Sequence, residues 1–222
     1  LTKEDTLKAE EPLKKAIELD PQFARSYVAL GHLYNSEAWW GWGNQDPATL
    51  FEKAKVTLLK AIALDPTDSL PHAVLGMVYI ALNDYDSGFA ELERGYSLNP
   101  NDADVLVHYG GMSYVKGRSR EGVEMMNRAF RLNPRYPDWY NGFPDPYYAV
   151  GQYEQVIAMT LRMVSDIPTW NQMVLAMSYA QLGRQSETVR AVTELRRRYP
   201  DFSMERMFSD FGGIEDQPTL AH

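Results

Sequence analysis

The chain has 222 residues, 45% hydrophobic and 12% aromatic, enough for a substantial core. Its formal net charge of -8 speaks against a general phosphate-binding surface, and its lack of cysteine excludes disulfides, thiolate metal sites and a cysteine nucleophile. No apolar run approaches the ~18 residues that a membrane span needs, no signal-peptide pattern opens the sequence, and Leu1 in place of methionine suggests a piece of something longer.

The first 20 residues predict an amphipathic helix, with Ala9 and Ala16 on a face suited to close approach and Asp20-Pro21 as its stop. A second helix carries Tyr27, Leu30, Gly31 and Tyr34, then runs into EAWWGWGNQDP at 37–47, with tryptophans at 39, 40 and 42. Asp46-Pro47 starts the next helix well, since aspartate caps and proline is tolerated at the first helical position. That helix holds Ala54 and Ala61 and ends in AIALDP at 61–66. The same plan then repeats: His72, Leu75, Gly76 and Tyr79, a turn at 83–85, and a helix with Gly88 and Gly95 ending in GYSLNP at 95–100. Beyond it come a helix from about 103, a turn at Gly117-Arg118, and a helix with Gly122 and Ala129 ending in AFRLNP. The stretch PDWYNGFPDPYYAVGQY at 137–153 predicts a broken or shortened helix, because Pro144 and Pro146 stand where helix should continue. Further turns follow at Gly151 and at Gly183-Arg184, and Arg196, Arg197 and Arg198 read as the solvated last turn of a helix, where cations suit the macrodipole.

The stops fall at Pro21, Pro66, Pro100, Pro134, Pro168 and Pro200, with gaps of 45, 34, 34, 34 and 32. A 34-residue unit of two helices with this Leu-Gly-Tyr and small-residue pattern resembles the tetratricopeptide repeat. The resemblance implies an all-α, right-handed superhelical solenoid of antiparallel helix pairs, about five and a half repeats over residues 1–200, the first lacking its helix A. The 45-residue gap exceeds the period by 11, so residues 37–47 are an insertion between helices A and B, either a longer loop or extra helical turn. Trp39, Trp40 and Trp42 then either cover their own helices or form an insertion-loop interface, tryptophan being favoured at interface hot spots. Residues 201–222 are read as a capping or groove-filling segment.

A narrower likeness covers most of the chain. The segments LTKEDTLKAEEPLKKAIELDPQFARSYVALGHLY, GWGNQDP, AIALDPTDSLPHAVLGMVY, LNPNDAD, RLNPRYPDWY and YPDFSMER resemble the repeat region of bacterial multidomain signalling proteins. That likeness implies a cytoplasmic regulatory module behind an N-terminal class III nucleotide cyclase or winged-helix domain.

Chemistry is sparse. His32, His72, His108 and His222 are widely spaced with no HExxH pair, and no GxSxG, GxxxxGK[ST] or GxGxxG is present. The expectation is therefore no catalytic residue, no metal and no cofactor. In tetratricopeptide arrays helix A lines the concave face at its second, fifth, ninth and twelfth positions. Here the resemblance assigns that groove Arg25, Val28, His32 and Asn35; Ala73, Met77 and Ile80; Asp104, Val107 and Tyr114; Asp138 and Asn141, with Asp145 and then Trp170, Met173 and Met177 continuing it. The Lys and Asn clamp of chaperone-tail receptors is absent from the fifth and ninth positions of the first three complete units. An apolar, methionine-bearing groove with acidic residues suits an amphipathic protein segment of some basic character. The expected partner is thus a protein or peptide, or the chain's own C-terminal segment, with no nucleic acid or membrane. Two rivals stay open: a homodimerising module, and a small-ligand sensor using Trp139, Tyr140, Phe143, Tyr147 and Tyr148.

Overall fold

The computed structural model describes residues 3–42, 45–163, 167–201 and 203, and among them there is helix and connection but no strand. The α-helices are α1 (Lys3–Leu19), α2 (Ala24–Trp40), α3 (Pro47–Leu64), α4 (Ser69–Ala81), α5 (Tyr85–Leu98), α6 (Ala103–Met112), α7 (Ser119–Leu132), α8 (Asp145–Ala149), α9 (Tyr153–Arg162), α10 (Thr169–Gln181) and α11 (Gln185–Arg198). Two 3₁₀ turns, Ser113–Lys116 and Asp138–Gly142, follow α6 and precede α8.

The chain forms two compact units, residues 1–109 with 127–134, and residues 110–126 with 135–222. In the first unit α1 packs on α2, α2 on α3, α3 on α4 and α4 on α5. Helix starts are chemically marked: Asp46, Asp68 and Asp84 accept hydrogen bonds from the backbone N–H of Thr49, Leu70 and Ser87. Each thereby satisfies a donor that the first turn would leave bare. The core joins Leu30, Leu33 and Tyr34 of α2 to Leu50, Phe51, Ala54 and Leu58 of α3 and to Val74, Leu75 and Val78 of α4. Leu50, Ala54, Leu58, Val74 and Leu75 are at most 1% exposed, so the apolar face read from the sequence is the packed one.

The insertion takes the second of its two expected forms, extra helical turn, which corrects the loop placement of Trp39 and Trp40. Helices α2 and α3 have 17 and 18 residues, where α4 and α5 have 13 and 14. Each is thus longer by about one turn, and six residues rather than three join them. Most of the extra sequence is helix, and Trp39 and Trp40 belong to α2 rather than to a loop. Ala38, Trp39 and Trp40 all continue a helix without strain, and Gly41 ends it in the left-handed region at φ 62°.

In the second unit α9 packs on α10 and α10 on α11, around Ile157, Leu175, Ala176, Tyr179 and Ala191. The expected break in the fifth repeat is there: a 3₁₀ turn, then the five-residue α8 with Pro146 near its start. Glycine is required at the α6–α7 crossing, where a Cβ on Gly122 would lie 2.4 Å from the Gly110 carbonyl oxygen.

Candidate functional site

Helices α2, α4 and the first-unit part of α6 carry the predicted groove residues of the first unit. The apolar ones are packed away: Val28 is 6% exposed, Ala73 and Val107 0%, Met77 1% and Ile80 6%. Arg25 remains exposed and Asp104 half-buried, marking the start of this face on α2 and α6. Asn35, 4% exposed, has a buried side-chain oxygen with no hydrogen-bond partner. His32 meets the edge of the His108 ring, centroids 5.5 Å apart at 82°. Burial holds His32 down to about 4 and, with the His32 charge as a lesser cause, holds His108 well below its usual range. Both imidazoles are therefore neutral near pH 7. His72 plays a different part: its Nδ1 lies 2.6 Å from Glu91 Oε2, tying α4 to α5.

In the second unit the predicted residues sit on irregular backbone. Tyr114 lies in the first 3₁₀ turn and Asp138 and Asn141 in the second, not on α-helix as expected. Asn141 donates to the Asp138 carbonyl at 3.2 Å, while its own side-chain oxygen is buried without a partner. From α10, the Trp170 indole N–H donates to Asp145 Oδ1 at 2.7 Å, and Asn171 donates to the Asn141 carbonyl at 3.4 Å. The sequence placed Asp145 and Trp170 on the same face but gave no sign that they bond. Trp139, Tyr140 and Tyr147 are 9, 0 and 1% exposed, and Trp139 meets Tyr140 and Phe143 edge to face. These rings pack against one another within the second unit.

The same half-buried Asp145 has a measurable consequence. Burial pushes its carboxyl up to about 7 against the opposing Trp170 bond. Between the ordinary carboxylate range and pH 7 the native chain then holds a proton that the unfolded chain has lost. Stability falls as pH rises through that window. The depressed histidines act oppositely, lowering stability as pH falls toward 4. The difference between Asp145→Asn and wild type isolates the carboxyl: in urea melts the variant should gain about 1–3 kcal/mol over wild type on going from pH 5 to pH 8.

At the insertion, Trp39 meets Phe51 edge to face at 5.9 Å, and Trp40 lies 5.0 Å from Trp42. Trp42 is only 5% exposed, while Trp39 and Trp40 are half-buried. Tyr34 donates to Glu10 at 2.9 Å, and the Lys53 ammonium lies 5.6 Å over the Tyr34 ring, so the lengthened helices also bind α1.

Among the described residues no three His, Asp or Glu side chains converge as a metal would need, and no helix is long and apolar enough to cross a membrane. The groove-filling role given to residues 201–222 falls almost wholly outside the described residues.

The family model described as tetratricopeptide repeat matches residues 72–102, which run from His72 of α4 through α5 to Asp102. That stretch is a tetratricopeptide repeat, and the all-helical pairing around it is a solenoid of the same kind. The chain's fold is similar to a chain of the APC/C hetero-tetramer Cut9-Hcn1, with a TM-score of 0.69 at 17% identity over 94% of this chain and 39% of that one. In sequence it is 26% identical over 122 residues to the transcriptional regulator HilA of Salmonella typhimurium, covering 55% of this chain and 22% of that protein. It is 30% identical over 87 residues to the type IV pilus assembly protein PilF of Pseudomonas aeruginosa, covering 39% of this chain and 34% of that one. The repeat chain thus spans only about a fifth to a third of these curated relatives. The insertion and the proline-broken fifth repeat are departures within the array.

Proposed function

We propose that this chain is a non-catalytic protein-interaction module of a larger regulatory protein, and that the helix-A face of its first unit takes an amphipathic segment bearing basic residues. The observation that carries the reading is the Asn35 side-chain oxygen, buried without a donor on α2, the helix that also carries Val28. A partner's backbone or side-chain N–H is what that acceptor lacks. The acidic balance of the chain favours a basic ligand, with Asp104 at the rim. The match to a transcriptional regulator, and the resemblance to signalling proteins with a cyclase or winged-helix domain, support a regulatory parent; a cytoplasmic setting goes with it.

The test is selection of displayed peptides against the whole chain. Charge reversals at accessible positions serve as controls, because glutamate at Val28, Met77 or Val107 would unfold the unit. Peptides with basic, helical apolar spacing should be enriched, Asp104→Lys should weaken them severalfold, and Arg25→Glu should strengthen them. Peptides that bind all three proteins equally would sink the assignment.

A further inference from the structure

The last described helix pair carries an apolar cleft of about 380 Å³ that no other described helix covers, lined by Met173, Met177 and Ala180 of α10 and Val192, Leu195 and Arg196 of α11. Elsewhere a helix of the next repeat covers this kind of face, as α4 does α3 and α10 does α9. Ser203 also lines the cleft, so the chain arrives at its edge. The sequence that follows, MERMFSDFGG, sets Met204, Met207, Phe208 and Phe211 at spacings 0, 3, 4 and 7, one face of a helix, with Gly212-Gly213 as a stop. Arg197 and Arg198 pair with Glu194, whereas Arg196 has no ion pair among the described residues. Glu205 and Asp210, against the single Arg206, leave the segment with a net charge complementary to Arg196.

We propose that residues 204–211 of this same chain seat their apolar face in the α10–α11 cleft, so that the segment caps the array. With no linker between Ser203 and the segment, its effective concentration is in the millimolar range, which a free partner would have to exceed. The cleft is at the small end of the ~300–1,000 Å³ typical of ligand pockets, and suits a few side chains.

The 222-residue chain has no cysteine, so paired cysteines report the contact cleanly in it. Val192→Cys with Phe208→Cys should close an intramolecular disulfide at least about tenfold faster than Val189→Cys with Phe208→Cys, since Val189 faces solvent on the same helix at 56% exposure. Separately, Phe208→Ser with Phe211→Ser should lower the melting temperature by several degrees. Equal closure rates, cross-links only between two chains (a second copy in the cleft), or an unchanged melting temperature would each overturn the proposal.

Discussion

Gly122→Ala is expected to destabilise the second unit by about 3 kcal/mol, the upper range for overpacking. The added Cβ would stand 1.8 Å from Ser113 Oγ, 2.4 Å from the Gly110 carbonyl oxygen and 2.9 Å from Ser113 Cβ. The serine hydroxyl, which donates to the Gly110 carbonyl at 2.7 Å, can turn aside at the loss of that bond. The Gly110 carbonyl is main chain and cannot, so the helices must part. Pairing Gly122→Ala with Ser113→Ala should therefore restore only a part of the loss. Urea midpoints of the three variants check this, and full rescue by Ser113→Ala would show that the hydroxyl alone sets the spacing.

The second large effect is expected at Trp42. Its ring is 5% exposed, so Trp42→Ala should cost about 3–5 kcal/mol of transfer and cavity energy. Its indole N–H is buried without an acceptor, however. Trp42→Phe removes that unpaired donor and keeps most of the apolar body, so it should cost about 1 kcal/mol or less. Trp40, half-buried, should lose less than Trp42 on truncation. Calorimetric melting of the three variants gives the order directly. An unchanged melting temperature for Trp42→Ala, with altered partner affinity, would instead make this tryptophan an interface anchor.

The prolines, the 34-residue spacing and the Leu-Gly-Tyr faces are local signals, and they placed the helix pairs correctly because each stop and cap acts within a few residues. The Asp46-Pro47 start and the break at Pro144 and Pro146 were legible for the same reason. The insertion was only half legible. The period counted its residues, but Ala38, Trp39 and Trp40 suit a helix end as well as a loop, and the choice rests on Trp39 meeting Phe51 and on Gly41 taking the left-handed turn. The groove positions were readable from the register, but their burial was not. Exposure of Val28 or Met77 depends on how closely the A helices approach, and the His32–His108 contact joins α2 to α6, between residues 76 apart. Asp145 illustrates the same limit, since the Trp170 bond that defines its setting spans 25 residues.

The central claim is that the helix-A face of the first unit receives a basic amphipathic segment. Amide hydrogen exchange of the full chain, with and without a peptide selected against it, tests this most directly. The account predicts slowed exchange in α2 and α4, diminished by Asp104→Lys. Slowing confined to α3 and α5, or none at a saturating peptide concentration, would contradict it.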